Sequence, residues 1–430
     1  ADEFADRIAY DVDDGTSISY AELDRAADEV AAALTERGVG IGSVVALVLP
    51  STIDYLVLYL GVARVGGVTA GINPRLRPRE VAGCLDVLDA QLVVHTDELA
   101  EGVDERYPRQ RIELGRDAAT YGLPLRVAGA PAFPALPDDD ARPVCICFTS
   151  GSTGQPKGAW YTNRQLRAVA DLDTGGAWGG GGHSLASTQF AHVGFMTKWP
   201  WLLAAGGTTH VLRRWSAGPV LELVAEHRMG AIPSVAPQIA LLLRHPLMDE
   251  LDLSSVTMIV AGGAASPPAL VRAARERFGA AYSIRYSSTE SGGIGLATAP
   301  DADDDEALHT IGRPRPGVDA EIRDADGAVV PAGEVGELWL RSPALMSGYW
   351  NDPVATANAL VDGWLRTGDL ARIDDAGCYL LAGRVTEMFI RGGYNVYPLE
   401  VEAVLSEHPA VAEVVIVPRP DPVMGEIGVA

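Results

Sequence analysis

Hydroxyl groups, glycines and a single lysine are concentrated in residues 149–158, which read Thr-Ser-Gly-Ser-Thr-Gly-Gln-Pro-Lys-Gly. Glycines let backbone N–H groups approach an anion closely, hydroxyl groups add donors, and the Lys157 ammonium adds positive charge. The segment is therefore typical of a phosphate-binding loop, and a polar surface turn with an incidental lysine is the alternative. A Walker A loop does not fit, because Pro156 and Gly158 flank the lysine where that motif needs a glycine and a hydroxyl residue.

Lysine is rare in this chain. Lys157 and Lys198 are the two lysines among 34 basic residues, and the others are arginines. A lysine kept between a proline and a glycine in such a chain indicates that an ammonium group is needed there.

The composition is that of a globular protein, with 47% hydrophobic and 21% charged residues. A chain of 430 residues is too long for one ordinary core, so two or more domains are expected. The formal net charge is −23 and no basic stretch offsets it, which disfavours a nucleic acid or an anionic membrane as partner. We interpret the acidity as a source of solubility. The oligomeric state cannot be read from the sequence.

The cysteine pattern and the lack of long apolar runs predict a cytoplasmic protein. The four cysteines show no metal-ligand spacing, which suits a reducing compartment; they are Cys84, Cys145, Cys147 and Cys378. Cys145 and Cys147 alternate in a strand-like run, so we expect both to pack on one face as small hydrophobic groups. No apolar run approaches the ~18–20 residues of a membrane span, and the N-terminus does not resemble a signal peptide.

Strand and helix patterns alternate along much of the chain, which predicts parallel sheet with helices on its faces. Ser19 and Glu22 form a capping-box pattern at the start of a helix that Gly38 ends. In the first hundred residues, strands are predicted at 44–49, near 68 and at 91–95, with helices at 51–64, where Ser51 is the predicted cap, and at 79–89. Residues 97–140 are predicted to be a solvated connector to a buried strand at 143–147.

Alternation resumes after the glycine-rich loop and gives way to short strands beyond Thr310. Strands are predicted at 208–212 and 256–261, helices at 218–227, 237–244 and 266–278, short strands at 318–322, 337–341, 370–373 and 379–381, and then a helix at 399–406 and a strand at 412–417. Residues 178–182, Trp followed by four glycines, are either a loop beside the site or a plain connector.

Residues 149–158 resemble the signature loop of the adenylate-forming superfamily, which includes acyl- and aryl-CoA synthetases, adenylation domains of nonribosomal peptide synthetases and firefly luciferase. Other segments resemble further motifs of the family in the expected order, from about Tyr20 to the end. The resemblance implies an α/β fold. Residues 1–385 would form a large N-terminal domain of two helix-flanked sheet subdomains plus a small β-barrel-like subdomain. Residues 386–430 would begin a small, mobile α+β domain that is incomplete here.

The resemblance implies a site for ATP and Mg²⁺. Tyr286 would stack on adenine, Thr289 would contact the α-phosphate and Glu290 would bind Mg²⁺, which prefers oxygen ligands. Asp369 would accept hydrogen bonds from the ribose hydroxyls, and Arg384 would contact ribose or phosphates. The remaining residues implied to bind ATP or AMP are Thr149, Ser150, Gly151, Ser152, Thr153, Gly154, Lys157, Gly263, Ala264 and Ser287. For each of these short motifs an ordinary turn is the alternative.

Residues 189–195 resemble the motif at the mouth of the acyl pocket, which assigns His192 to substrate placement; a core histidine is the alternative. His192 joins Lys157, Thr289 and Glu290 as the residues implied to be catalytic. The motif lacks the aspartate of amino-acid-activating relatives, which favours a simple carboxylic acid. The predicted acyl pocket is largely apolar and suggests a bulky hydrophobic acid; its residues are His192, Val193, Phe195, Met196, Trp199, Val235, Gln238, Gly262, Ser287, Gly292 and Ile294. Ser287 replaces the family's usual glycine.

Residues 311–317, 333–337 and 348–350 also match family landmarks, and we interpret them as structural turns without chemistry. Thr386 stands where relatives carry the hinge Asp or Lys, which leaves the hinge dynamics open. The segment 391–398 resembles the loop that completes the thiol tunnel for CoA, and the implied tunnel residues are Arg391, Gly392, Gly393 and Tyr394. Relatives carry a further lysine in a later Pro-x-x-x-x-Gly-Lys motif. The sequence given ends before it, so we expect the native chain to be longer.

The implied enzyme is an acid–thiol ligase, an AMP-forming acyl-CoA synthetase. The substrate carboxylate would attack the α-phosphorus of ATP and displace pyrophosphate, and the thiol of CoA would then attack the acyl-adenylate. One alternative is a ligase that loads the phosphopantetheine of an acyl carrier protein, since the same thiol is presented. A second alternative, from another class, is a degenerate protein that binds a nucleotide or acyl-adenylate. Luciferase-type oxidation has no positive support.

Overall fold

The computed structural model describes residues 2–149, 155–175, 181–392, 394–406, 408, 410–411 and 414–430. Across these ranges the chain forms twelve α-helices and twenty-five strands. The helices are α1 Tyr20–Glu36, α2 Ile53–Arg64, α3 Pro78–Leu88, α4 Asn163–Thr174, α5 Val193–Met196, α6 Trp199–Ala204, α7 Ala217–Glu226, α8 Ala236–Leu243, α9 Pro268–Phe278, α10 Asp304–His309, α11 Pro353–Ala359 and α12 Pro398–Ser406.

The strands fall into five sheets. They are β1 Ile8–Val12, β2 Ser17–Ser19, β3 Val44–Val48, β4 Val68–Gly71, β5 Leu92–His95, β6 Arg109–Arg111, β7 Pro143–Thr149, β8 Lys157–Thr162, β9 His183–Leu185, β10 Thr208–Val211, β11 Ala231–Ser234, β12 Met258–Gly262, β13 Ala281–Tyr286, β14 Leu296–Ala297, β15 Arg313–Pro314, β16 Asp319–Arg323, β17 Gly336–Arg341, β18 Gly348–Tyr349, β19 Leu360–Val361, β20 Trp364–Ile373, β21 Tyr379–Arg384, β22 Phe389–Arg391, β23 Tyr394–Val396, β24 Val417–Asp421 and β25 Gly425–Val429.

The largest sheet has seven strands in the order β18-β8-β7-β4-β3-β5-β6. The strands from β7 to β6 are parallel, whereas β8 and β18 add to the β7 edge in antiparallel fashion. Strand β3 is buried along its whole length. Its alternate residues enter two separate cores, with Val45 and Leu47 in one and Val44, Ala46 and Val48 in the other. Burial on both faces is typical of parallel sheet covered by helices.

The other sheets surround this one. Strands β11, β12 and β13 are parallel, continue into β14 and β15, and share a core with α7, α8 and α9. Strands β1, β10 and β9 form a parallel row, with β2 antiparallel to β1. The chain from β16 to β21 forms an antiparallel sheet, and β22 to β25 form a last antiparallel sheet. The α/β fold class is confirmed. The predicted barrel-like subdomain is an open sheet, because its described end strands do not pair with each other.

Several local predictions differ from the structure. Ser51 does not cap α2; its hydroxyl accepts the N–H of Phe190 at 3.0 Å, and Thr52 is the N-cap residue. The last predicted strand begins at Val417 rather than at residue 412, and residues 412–413 lie outside the described ranges. The glycine-rich segment 178–182 is described only from Gly181 onward. In the described part of the chain, no helix combines the length and apolar character needed to cross a bilayer.

The connector at residues 97–140 is attached to the first helices rather than fully solvated, which corrects the prediction. Its side chains Ile112, Tyr121 and Leu125 are buried. The Asp54 carboxylate of α2 accepts N–H groups of the connector, at Gly122 (2.9 Å) and at residue 115 (3.1 Å). Buried acidic side chains of α1 and α2 therefore satisfy backbone donors of an irregular segment, as buried polar groups require.

The pair of Glu29 and Arg126 is a buried part of this attachment. The two side chains are 7% and 5% exposed, the Arg126 Nε donates to Glu29 at 2.8 Å, and the N–H of Gly129 donates to the other carboxylate oxygen at 2.9 Å. Burial opposes ionisation of Glu29, but the hydrogen bonds from Gly129 and Arg126 outweigh it and lower the pKa. The carboxylate is therefore charged in the folded protein at neutral pH.

Replacement of Arg126 by methionine should lower the free energy of unfolding by about 3 kcal/mol, because it leaves the Glu29 carboxylate buried without its cation. Urea unfolding at neutral pH measures this. Since the pKa of Glu29 is lowered on folding, its contribution is present above the unfolded pKa and is lost as pH falls through the folded pKa. The difference between the two proteins should therefore shrink in acid.

The matched control is Arg106→Met. Arg106 pairs with Asp86 on the surface, where both side chains are 55% exposed, so the same substitution should change the free energy by about 0–1 kcal/mol. Equal effects of the two substitutions would contradict the role given to the buried pair.

Candidate functional site

The loop that resembles a phosphate-binding segment joins two antiparallel strands. Thr149, the last residue of β7, pairs with Lys157, the first residue of β8, and Phe148 pairs with Gly158. Lys157 is half-buried. The predicted nucleotide residues 150–154 lie outside the described residues, so the structure defines the two ends of this loop and the lysine at its base. A hairpin differs from the strand–loop–helix arrangement of Walker A proteins.

Tyr349 lies between a cation and a carboxylate. Strand β18 pairs with β8 so that Tyr349 stands opposite Ala159. The Lys157 ammonium lies 5.2 Å from the centre of the Tyr349 ring, and the Tyr349 hydroxyl donates to Glu290 Oε1 at 2.8 Å. Burial and the charge of Glu290 raise the pKa of Tyr349, so the hydroxyl remains a donor. The sequence interpretation missed this residue and treated its segment as a turn.

The turn that carries Thr289 and Glu290 is fixed from both sides. The Tyr161 hydroxyl of β8 donates to the Thr289 carbonyl, and the N–H of Met346 donates to the Glu290 carbonyl at 2.9 Å. Burial raises the pKa of Tyr161 well above its usual value, which keeps it a donor. Strand β8 therefore carries the predicted cation and, through Tyr161, holds the backbone at Thr289, one residue before the predicted metal-binding residue.

Glu290 has the chemistry that a Mg²⁺ ligand requires. Its Oε1 accepts from Tyr349, and in the described part of the chain its Oε2 has no hydrogen-bond donor. A hard cation such as Mg²⁺ is commonly held by one or two carboxylates together with substrate phosphates and water. A carboxylate that Tyr349 orients, with one oxygen unbonded within the described residues, fits that pattern.

Three strand ends form an edge where a nucleotide ring could bind. Val235, Gly263 and Tyr286 lie at the carboxyl ends of the parallel strands β11, β12 and β13, and Ser234 pairs with Ala261 as Gly262 pairs with Arg285. Ligands of open α/β sheets commonly bind at this edge.

The edge is open at Gly263, where an added Cβ would meet, among the described residues, only Val235, at 3.9 Å. Gly263 and Ala264 are exposed, and Gly263 has a φ of +74°, a conformation that side chains rarely adopt. Ser287, one residue after Tyr286, is exposed as well.

Asp369 connects this edge to the antiparallel sheet. Its carboxylate accepts the Tyr286 hydroxyl at 2.5 Å and the Arg384 Nε at 2.9 Å, and Asp369 pairs with Arg384 in the β20–β21 ladder. Burial raises the pKa of Asp369 despite these two donors. Burial and the Asp369 charge raise the pKa of Tyr286 well above its usual value. The structure thus brings together three residues that the sequence assigned to the nucleotide.

His192 stands at the start of α5 with one ring nitrogen directed outward. Its Nδ1 accepts the N–H of Gly194 at 3.1 Å, so the neutral ring carries its proton on Nε2. The ring is accessible to solvent, but enough protein surrounds it that desolvation lowers its pKa. The alternative of a buried core histidine is therefore wrong.

Apart from the exposed Ser287, the other predicted pocket residues divide into two groups. Val235, Gln238 and Gly262 are half-buried at the sheet edge, and the Gln238 Oε1 accepts the Ser234 hydroxyl at 2.9 Å. Six are buried, and all but the last two belong to the core beside the seven-stranded sheet; they are Val193, Phe195, Met196, Trp199, Gly292 and Ile294. The Thr197 hydroxyl donates to the Gly292 carbonyl at 3.2 Å and so connects the end of α5 to the turn beyond Glu290.

A charged cluster next to this turn was also missed. The Lys198 ammonium lies 2.8 Å from one oxygen of Asp173, and Arg315 donates to the other at 2.8 Å. A side chain at Gly293 would begin 3.5 Å from Lys198. Because lysine is rare in the chain, Lys198 was the member of this cluster that the sequence could have indicated.

The predicted hinge and thiol-tunnel residues lie on the last sheet and the turn before it. Thr386 is exposed in the turn between β21 and β22. Arg391, Gly392 and Tyr394 are exposed on β22, β23 and their connection, and Gly392 has a φ of +57°. Gly393 lies outside the described residues.

Comparison with known proteins finds similarity to the family that the motifs resemble, over most of the chain. The family described as AMP-binding enzyme matches residues 1–350. The chain is 31% identical to the long-chain-fatty-acid–CoA ligase FadD13 of Mycobacterium tuberculosis, over 96% of this chain and 82% of that protein. It is 30% identical to the fatty acid–[acyl-carrier-protein] ligase ScoC of Streptomyces coeruleorubidus, over 96% of this chain and 81% of that protein.

A solved structure, ATP-bound MatB of Rhodopseudomonas palustris, is similar with a TM-score of 0.87 and 26% identity, over 98% of this chain and 84% of that one. The names of these two relatives, a CoA ligase and an acyl-carrier-protein ligase, agree with the predicted enzyme class, an acid–thiol ligase. The motifs, the sheet arrangement and these similarities converge: the chain belongs to the AMP-binding enzyme family, the adenylate-forming enzymes that its motifs resemble.

Proposed function

We propose that this protein activates a hydrophobic carboxylic acid with ATP to an acyl-adenylate and transfers the acyl group to the thiol of coenzyme A. One observation carries the proposal: Tyr349 holds the Lys157 ammonium against its ring and the Glu290 carboxylate on its hydroxyl. A cation and a carboxylate that can hold a metal, both positioned by one tyrosine, suit a reaction at a phosphate.

In the first half-reaction, a carboxylate oxygen of the acid bonds to the α-phosphorus, and the bond from that phosphorus to pyrophosphate breaks. Lys157 neutralises the negative charge that builds on the phosphate oxygens, and Thr289 contacts the α-phosphate. Glu290 would hold Mg²⁺, which supplies further charge neutralisation when bound. No covalent enzyme intermediate or general base is needed.

The nucleotide would bind across the sheet edge. Tyr286 and Gly263 offer an aromatic face and an open backbone for adenine. The Asp369 carboxylate has about four acceptor positions and receives two donors from the described part of the chain, Tyr286 and Arg384. Two acceptor positions therefore remain for the vicinal hydroxyl groups of a ribose.

Apolar surroundings support a hydrophobic acid. The segment after His192 packs against aromatic side chains. The ring centres of Phe195 and Phe190 are 4.0 Å apart, and those of Trp199 and Tyr59 are 5.0 Å apart. The outward Nε2–H of His192 could donate to the substrate carboxylate at the mouth. Both curated relatives act on fatty acids by name, which agrees with this substrate class.

The acceptor is the least constrained part of the proposal. CoA and a carrier protein present the same phosphopantetheine thiol, and the exposed Arg391, Gly392 and Tyr394 suit either. FadD13 is a CoA ligase and ScoC acts on an acyl carrier protein. We take CoA as the acceptor and keep the carrier protein as the second candidate, supported by ScoC. In both cases the small domain from residue 386 onward would rotate to present the thiol.

The deciding experiment supplies the full-length protein with ATP, Mg²⁺ and a panel of aliphatic and aromatic acids, and detects products by mass spectrometry. Acyl-AMP, followed by acyl-CoA when CoA is added, is the expected result. Acyl-AMP that persists with CoA present but is consumed by a phosphopantetheinylated carrier protein would favour the second candidate. Absence of both products for every acid would support a degenerate binder instead.

Lys157→Ala should slow acyl-AMP formation by a factor of about 10²–10³, because an ammonium that stabilises the transition state is lost. Exchange of labelled pyrophosphate into ATP measures this step, and transfer of a supplied acyl-AMP to the thiol should be much less affected. Arg228→Ala is the control, since Arg228 is a surface cation paired with Asp252. Unchanged rates for both half-reactions would refute the role of Lys157.

Tyr349→Phe should raise the Mg²⁺ concentration needed for half-maximal activity about tenfold, because Glu290 loses the donor that orients it. The ring beside Lys157 is retained, so the protein should bind ATP without Mg²⁺ as before. Tyr107→Phe is a matched control, because the Tyr107 hydroxyl also donates to a carboxylate at 2.8 Å, on the exposed Asp86. A Mg²⁺ requirement that shifts equally in both variants would count against the orientation of Glu290 by Tyr349.

A further inference from the structure

Three histidines that do not belong to the proposed nucleotide site converge in space. His183 begins β9, His210 lies in β10, and His227 follows the last residue of α7. Each offers a ring nitrogen, and these three atoms lie within 4.8 Å of one another. The ring centres are 4.2 Å apart for His183 and His227, 4.3 Å for His210 and His227, and 5.1 Å for His183 and His210.

The register of two parallel strand pairs explains the arrangement. In the β9–β10 ladder, His183 stands opposite Thr208. His210 lies two residues beyond Thr208, so its side chain points to the same face of the sheet as that of His183. In β1 and β10, Asp11 stands directly opposite His210. A carboxylate and two imidazoles therefore form a row across three strands, and the end of α7 brings the third imidazole above it.

Asp11 fixes the orientation of His210. Its Oδ2 lies 3.3 Å from His210 Nδ1, and on the other side of the ring His210 Nε2 lies 2.8 Å from His183 Nδ1. A carboxylate behind one ring nitrogen, which leaves the other nitrogen for a ligand role, is the usual support of a metal-binding histidine.

A hydrogen bond between His183 and His210 is the simpler explanation of their 2.8 Å contact. It does not explain why His227 lies against both rings. One N–H can join one pair of imidazoles. In the described residues no hydrogen bond reaches the His227 ring, although it stacks on both partners. A cation that takes one nitrogen lone pair from each ring would account for all three histidines, with the stacked rings turning edge-on toward it.

We propose that His183, His210 and His227 bind one divalent first-row transition-metal ion, with Asp11 as the supporting carboxylate. Zinc is the expected ion. Three imidazoles with one open position are a common zinc set, and imidazole also suits copper, nickel and iron. The histidines line a cavity of about 500 Å³, so a water or another small ligand can occupy the open position.

The ion would join two parts of the fold. His183 and His210 belong to the sheet that contains β1, whereas His227 ends α7, which packs with the sheet of β11 to β13. Strand β9 leads directly into residues 189–195, so the ion would also anchor the start of that segment. None of the three histidines belongs to the residues of the proposed reaction, so the metal site stands whether or not that reaction is confirmed.

The test uses the full-length protein purified without a histidine tag, stripped with a chelator and dialysed against Zn²⁺. Elemental analysis should find about one zinc per chain, and substitution by Co²⁺ should give the visible absorption of a tetrahedral cobalt site. His183→Ala should lower zinc affinity at least tenfold. His183 is exposed, so this variant should fold and match the wild-type circular dichroism spectrum.

Two further variants make the result specific. His309→Ala, at another exposed histidine, should retain wild-type zinc binding. Asp11→Asn should keep the stoichiometry but weaken affinity about tenfold, since Asp11 acts through His210. Zinc should raise the thermal midpoint of the wild-type protein and of His309→Ala, and not that of His183→Ala. Failure of the wild-type protein to bind zinc, or equal binding by His183→Ala, would overturn the proposal.

Discussion

The antiparallel pairing of β7 with β8 is the constraint on which the nucleotide site depends. It closes the glycine-rich loop at Thr149 and Lys157 and sets the face on which the lysine projects. The next residues of β8 position the partners of that lysine: Ala159 pairs with Tyr349, and the Tyr161 hydroxyl holds the Thr289 carbonyl. A slip of one residue would turn every side chain of β8 to the opposite face. Lys157 would then lose its contact with Tyr349, and Tyr161 would lose its contact with the turn at Thr289.

The strength of that pairing comes from the cores on either side of β7. Cys145 and Cys147 enter one core and Ile146 enters the other, as the alternation in the sequence predicts. The hydrogen bond with Cys145 and burial raise the pKa of Cys147 well above its usual value, so its thiol stays neutral. The cysteines therefore act as small apolar groups that hold the strand. A strand buried on both faces is a rigid support for a loop that must bind charge.

Local patterns were predictable from the sequence, and contacts between distant segments were not. The capping box of Ser19 and Glu22 is present as predicted because both partners lie within four residues. Ser51 looked like a cap but bonds Phe190, which only the folded sheet brings near. Strand β8 was missed because it follows a glycine- and proline-containing loop, and its pairing with β7 rather than its own propensity makes it a strand.

The functional residues follow the same division. Motifs that resemble a known family identified Tyr286, Asp369 and Arg384, and the structure brings these three into contact. Tyr349 could not be assigned, because its role exists only through Lys157 and Glu290, far away in sequence. The three histidines of the metal proposal are equally dispersed, since two parallel ladders and a helix end unite them and no local spacing marks them.

The predicted hinge at Thr386 lies where the hydrogen-bonded ladder stops. Asp369 pairs with Arg384, and the N–H of Val385 still donates to the Gly368 carbonyl at 2.9 Å. Beyond Val385, the turn is held by N–H groups of Glu387 and Met388 that both bond the Arg384 carbonyl at 3.1 Å. A rotation at Thr386 would exchange these two bonds and would also separate Arg372 of β20 from Glu400 of α12, whose charged atoms lie 4.0 Å apart. The Arg384 side chain would stay on Asp369, so the last sheet could move while the nucleotide residues kept their geometry.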